Sequence, residues 1–242
     1  MDRCQGGRGV RRGEPRDAAE IAALVLLSAE HFLPAVFGSK VGEGLRALAA
    51  GRGTLFSHAH SWIVESDGRT AGMLLGYSGA QKAAEDLATG WGLLRVLGPG
   101  MLRRLGRLLR LQRMIGTLAP HEYYVSNVAV DPELRGRGLG TVLMGAAEQE
   151  ARDAGLASVV LDVETDNASA IRLYQALGFV TRSETPRLRL ESGEFAFFRM
   201  ERSLTPSWRA GDPAGRCPPS SEGSSSADPR SAKRSSLLPP AR

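Results

Sequence analysis

Cysteine is nearly absent: the 242 residues contain two, Cys4 and Cys217, near opposite ends of the chain. Neither a disulfide framework nor a thiolate metal centre is therefore expected, and the scarcity fits a reducing, cytoplasmic compartment. Long apolar runs are missing as well. The best stretch, IAALVLL at 21–27, falls far short of the roughly 18 residues a membrane span requires, and the N-terminal arginines precede no apolar signal-peptide core. The four histidines, His31, His58, His60 and His121, are scattered. His58 and His60 read as a surface pair on one strand face, so no metal is expected. Acid is missing over one long interval, since no Asp or Glu occurs between Leu87 and His121.

What remains is ordinary globular material, 42% hydrophobic and 24% charged. A net charge of +5 raises the question of nucleic acid, but no aromatic-basic motif or zinc spacing accompanies it, and nucleic acid is not an expected partner. Residues 205–242, rich in Ser, Pro, Gly, Ala and Arg, hold too little apolar surface to offset chain ordering. They read as a disordered tail and 1–8 as a disordered leader, leaving one domain at 9–204. Its pattern mixes strands and helices: a first strand near 9–15, a helix from Ala18 to Pro34 capped by Asp17, and a second helix at 41–51. A hairpin turns at Asp67-Gly68, a strand covers 122–130, and a helix follows near 141–155. A strand at 157–165, a helix closed by Gly178 and an antiparallel pair over 179–190 and 193–204 complete it. The class is α/β, a mixed and mostly antiparallel sheet with a central β-α-β-α-β run.

ELRGRGLGTVL, residues 133–143, places Gly136, Gly138 and Gly140 between an expected strand and an expected helix. Amides opening a helix lack intrahelical partners and carry the positive end of its dipole. A turn poor in β-carbons lets several of them face one anion, so this segment reads as a phosphate cradle. The dinucleotide fingerprint fits poorly, because the third glycine comes one residue early with Thr141 in its place, and the lysine of a mononucleotide P-loop is missing. Downstream, Asn167, Ala170 and Tyr174 stand at i, i+3 and i+7 of a helix, so one face carries a small side chain between two polar ones.

Arg-x-x-Gly-x-Gly after Val-Ala-Val-Asp-Pro, with Asn-x-x-Ala-x-x-x-Tyr-x-x-x-Gly-Phe beyond it, resembles the GNAT superfamily of acetyl-CoA-dependent N-acetyltransferases. In motif the chain is most similar to the ribosomal-protein alanine N-acetyltransferase type. The resemblance is strong over 122–180 and absent from both tails. It implies that the backbone of Arg135, Gly136, Arg137, Gly138, Leu139, Gly140 and Thr141 holds the pyrophosphate of acetyl-CoA, the acyl donor. It implies that Asn167 and Ala170 contact that cofactor and that Tyr174 sits beside its sulfur as general acid. Val128, Ala129 and Val130 would lie on a strand that bulges from its neighbour and pairs with pantetheine. For the general base it offers Glu122, where family members carry a glutamate, and Asp162, aligned with the base of the alanine type. Glu164 shares the face of Asp162, and for each acid a strand-end carboxylate in solvent or an ion pair remains an equal alternative.

The implied activity is transfer of an acetyl group from acetyl-CoA to a primary amine of a small molecule or protein. A non-catalytic acyl-CoA-binding module is the alternative, and retention of Tyr174 with nearby carboxylates favours the enzyme. The chain departs from the family at 80–120, where RVLGPGMLRRLGRLLRLQRM carries six arginines. Gly98-Pro99-Gly100 splits this insert into two helices, the second amphipathic from Met101. The favoured expectation has its leucines covering the sheet beside the acceptor cleft. Contact of 101–115 with a membrane surface is the lesser one. Monomer and homodimer both stay open.

Overall fold

The structure is a computed structural model, and it describes residues 9–98, 117–190 and 193–204. The expected leader at 1–8, the second insert helix at 101–115 and the tail at 205–242 lie outside the described residues.

Nine strands are described: β1 (Val10–Arg12), β2 (Ser61–Ser66), β3 (Arg69–Ser78), β4 (Glu122–Val130), β5 (Ser158–Glu164), β6 (Val180–Glu184), β7 (Leu188–Leu190), β8 (Gly193–Phe195) and β9 (Phe197–Ser203). The described helices are α1 (Ala18–Ser28), α2 (Phe32–Phe37), α3 (Val41–Ala50), α4 (Gly79–Leu97), α5 (Leu139–Asp153) and α6 (Ala168–Ala176). Seven strands form one sheet in the order β1-β2-β3-β4-β5-β9-β6, while β7 and β8 pair separately. The pairings in the large sheet are antiparallel except β4 with β5, which run parallel and are joined through α5 as parallel strands require.

Both faces of the sheet are covered, and strand alternation assigns each residue its side. Ile63, Met73 and Leu75 pack with Ile21, Val25 and Leu45 of α1 and α3. Their neighbours Val64 and Leu74 point the other way, into a core with Leu143, Met144 and Ala147 of α5. The same rule sends Tyr123 and Val125 toward α5 and leaves Tyr124 on the α1 side.

The hairpin turns where Asp67-Gly68 predicts it, both residues having positive φ (55° and 75°). Several expectations are corrected. The first helix ends at Ser28, and α2 then runs through Pro34 in its first turn, where proline gives up no helical hydrogen bond. Asp17 stands at the cap position of α1 but makes no side-chain cap bond. Its carboxylate is held by Arg11 at 2.6 and 2.9 Å and by the Glu14 amide at 2.8 Å. His58 and His60 lie on a 3-10 turn and are buried, rather than on an exposed strand face. Their Nδ1 and Nε2 meet the Ala49 carbonyl and the Glu85 carboxylate, at 2.7 and 2.8 Å. The run 179–190 splits at Thr185–Arg187 into β6 and β7, which join different sheets.

Candidate active site

The parallel pairing of β4 with β5 stops early. Registered pairs run from Glu122↔Ser158 to Val125↔Leu161, and beyond them the strands diverge. An extra residue sits at the divergence: Gly76 of β3 faces Val125 and Leu75 faces Asn127, so Ser126 is the bulged position. The strand that carries Val128, Ala129 and Val130 is thus bulged and parts from its neighbour, with the irregularity itself two residues before Val128. Those three keep regular register with Leu74, Met73 and Gly72 of β3, while their other edge has no β5 partner. Backbone hydrogen-bonding groups therefore line one arm of a fork.

At the end of that arm Asp131 caps a 3-10 turn by accepting from the Glu133 amide. The chain then enters α5 through Gly136 and Gly138, at φ 75° and 79°, a region that side chains with a β-carbon rarely adopt. Gly138 is the N-cap, and no side chain caps it. The opening amides of α5 thus remain for an external acceptor. A β-carbon on Gly140 would come within 3.1 Å of Leu173 Cδ2, so glycine there lets α5 approach α6. Arg135 Nε donates to the Val130 carbonyl at 3.2 Å, folding that guanidinium back over the strand end. Arg137 and Thr141 are exposed, and Leu139 is buried in the core.

A cleft of about 180 Å³ occupies the fork. Its walls include Val128, Asp162, Asn167, Ala170 and Tyr174, so five sequence-derived candidates meet there. Ala129, Val130 and the 135–141 turn continue along the same arm without lining it. Glu122 lies outside the cleft: its Oε2 accepts from the Ala119 amide at 2.8 Å and faces Arg199 at 3.8 Å. The ion-pair alternative thus describes its position.

Tyr174 and Asp162 approach the cleft from opposite faces of the sheet. Tyr174 belongs to the α5-side core, 8% exposed, with its ring 5.9 Å from that of Phe179. Burial pushes its phenol up to about 12, which keeps the proton on the oxygen at neutral pH. Asp162 is on the α1 side with Tyr124. Its Oδ2 accepts from the Tyr124 hydroxyl at 3.0 Å and from Arg199 at 3.2 Å, while its buried Oδ1 has no partner among the described residues. Desolvation raises the Asp162 pKa above the usual carboxylate value, against the opposing pull of Arg199 and Tyr124. Glu164 is also raised, first by desolvation and then by Asp166. Asn167 Oδ1 caps α6 by accepting from the Ala170 amide at 3.1 Å, so its amide NH₂ is the group left for a ligand.

Sequence reasoning missed Tyr124, Arg199, Asn127 and Ser28. Tyr124 could have been found from strand alternation with Glu122, but Arg199 meets Asp162 only because β9 inserts beside β5. Asn127 Nδ2 donates to Ser28 Oγ at 2.8 Å, tying β4 to the end of α1, and neither residue carries a local signal of that contact. Among the described residues no group of His, Cys, Asp and Glu could hold a metal, and no helix is long and apolar enough to cross a membrane.

Residues 39–179 match the Acetyltransferase (GNAT) family. Over 58 residues, 24% of this chain and 17% of the relative, the chain is 53% identical to a mycothiol acetyltransferase of Nocardiopsis dassonvillei. Over 69 residues, 28% of this chain and 40% of the relative, it is 35% identical to an L-amino acid N-acyltransferase of Escherichia coli. The chain spans about a fifth of the length of the first curated relatives it matches. A solved N-acetyltransferase from Staphylococcus aureus Mu50 superimposes with a TM-score of 0.58 at 20% identity, covering 79% of this chain and 99% of that one. At that identity the likeness is one of fold.

Proposed function

The chain belongs to the GNAT acetyltransferase family, and we propose that it transfers the acetyl group of acetyl-CoA to a primary amine. The observation that carries this reading is the fork. Val128 of the unpaired β4 edge, the Asn167/Tyr174 face of α6 and a buried carboxylate line one cleft, and the β4 arm leads from it to the uncapped glycine entry to α5. The residues fit coenzyme A. Open space at Gly136 and Gly138 and the free amides of α5 suit a diphosphate, and the edge at Val128–Val130 suits an amide-bearing arm.

Acetyl-CoA, when bound, would supply an acyl carbon activated as a thioester, with the coenzyme A sulfur as the leaving group. The protein's part is placement and proton handling. An alkylamine has a pKa near 10 and arrives mostly protonated. Asp162, with one oxygen unpartnered and its basicity raised by burial, takes the first proton from nitrogen. The N–C bond forms as the C–S bond breaks. Tyr174 delivers its proton to the departing sulfur, and the second proton lost by nitrogen restores the phenol. Two carriers on opposite faces of the sheet keep the two transfers apart. Arg199 and Tyr124 act as positioning residues that hold Oδ2 and leave Oδ1 for the amine.

Calorimetric titration with coenzyme A, combined with amide exchange over 135–141, tests the donor side: heat and protection are expected. A lack of both overturns the reading. Thiol release from acetyl-CoA that depends on added amine tests the chemistry, and binding without such release would return the chain to the acyl-CoA-binding module.

A further inference from the structure

The side of the cleft away from the β4 edge has a lining drawn partly from outside the matched residues 39–179, at Ser28, Phe32 and Phe197. Its walls are Ser28 and Phe32 at the α1–α2 junction, Phe56 before β2, Phe197 at the start of β9, and the carboxylates Asp162 and Glu164 of β5. Phe32 makes edge contacts with Phe195 and Phe197, at centroid distances of 5.3 and 5.1 Å, so this wall is a packed aromatic cluster.

The charges are one-sided. Among the described residues lining the cleft, the ionisable acids are Asp162 and Glu164, and no Lys, Arg or His lines it. Asp162 has Arg199 behind it, whereas Glu164 forms no ion pair among the described residues. The groups around Glu164 are Asp166, which adds negative charge, and the exposed imidazole of His31. A half-buried carboxylate without a counter-ion is held at a cost that a bound cation removes. Asp162, which lines the same space, has a buried Oδ1 without a hydrogen-bond partner among the described residues. An aromatic wall beside two carboxylates suits a cation with an apolar body, through area burial and cation–π attraction.

Resting on the acetyl-transfer reading, we propose that the acceptor is a primary amine carrying an aromatic or bulky apolar body and no carboxylate, an arylalkylamine in chemical class. A free amino acid places its own carboxylate beside Asp162 and Glu164 and is rejected by repulsion. A polyhydroxylated amine leaves its hydroxyls against phenylalanine rings and is rejected by desolvation.

The test is thiol release by the full-length protein with four acceptors: 2-phenylethylamine, L-phenylalanine, L-phenylalaninamide and glucosamine. Phenylethylamine should exceed L-phenylalanine in kcat/KM by about 30-fold or more, since like-charge juxtaposition is costly. L-Phenylalaninamide, which keeps the body and loses the negative charge, should recover most of that difference. Glutamine at Glu164 (Glu164→Gln) should narrow the ratio of phenylethylamine to L-phenylalanine several-fold, a change that simple damage to the fold would not produce because it scales both alike. The proposal is overturned by L-phenylalanine or glucosamine turning over as well as phenylethylamine, by a ratio unmoved in Glu164→Gln, or by silence from all four while another amine reacts. Absence of thiol release with every amine tested would overturn the acetyl-transfer reading itself, and the acceptor class with it.

Discussion

The donor and acceptor ends of the candidate site are made of different material. The donor end is largely main chain: the free edge of β4 at Val128–Val130 and the amides between Gly136 and Thr141, all from one stretch of about fifteen residues. The acceptor end is side chain, gathered from residues as far apart as Ser28 and Phe197. Backbone recognition demands only that β-carbons be absent at a few positions and that a helix begin in the right place. Side-chain recognition demands that several elements arrive together. One surface therefore tolerates change in most of its side chains, and the other does not.

The comparison is broken most directly at Asp162. Asp162→Asn removes the proton acceptor, and kcat should fall by about 10²-fold or more with coenzyme A affinity held. Glu122→Gln, at a carboxylate already engaged by the Ala119 amide and Arg199, should change kcat by less than about threefold under the same principle. Equal losses from the two would mean that the base had been assigned to the wrong acid.

The donor end should answer in affinity instead. Gly138→Asp puts a β-carbon at φ 79° and a negative charge at the anion site, so the Kd for coenzyme A should rise by about 10²-fold in calorimetry. Tyr174→Phe lies between the two ends. It should lower kcat about tenfold while coenzyme A binding stays nearly intact, because the phenol contributes a proton rather than a contact.

The pH profile sharpens the contrast further. Asp162 must be ionised to act, and its pKa is raised by burial, so activity should be lost on acidification at a higher pH than an ordinary carboxylate predicts. Tyr124→Phe removes one hydrogen bond that favours the ionised form, and should shift that acid limb to still higher pH. An unmoved limb in Tyr124→Phe would remove Tyr124 from the role of positioning residue.

The smallest effect belongs to neither end. Asp17, 6% exposed and bound by Arg11, has its pKa lowered by that hydrogen bond. Its contribution to stability is present above the unfolded carboxylate value and is lost as pH falls through the lower folded value. Asp17→Asn should cost about 2 kcal/mol at neutral pH, read as a lower Tm, and leave kcat unchanged.

Legibility in the sequence followed the same division. Asp67-Gly68, the strand at 122–130 and the helix beyond the glycine turn were readable because each rests on local backbone chemistry, although that helix begins at Leu139, two residues before the expected start. Asn167, Ala170 and Tyr174 were readable as one face because 3.6 residues per turn places them there. The break after Ser28 was hidden, since helical spacing continues through 18–34 and Pro34 is compatible with a new first turn. The His58–His60 pair misled for a related reason: two residues apart means one face only in a strand.

Local composition, then, determined the α/β class, the hairpin, the glycine entry to α5 and the polar stripe of α6, because periodicity and turn stereochemistry act over a few residues. Tertiary structure alone decided that β9 would enter between β5 and β6, setting Arg199 beside Asp162 and Phe197 beside Phe32. It decided, too, that Glu122 would be engaged elsewhere. Strand order is chosen by the burial of whole faces, an energy summed over distant segments, and no short window of the chain contains that sum.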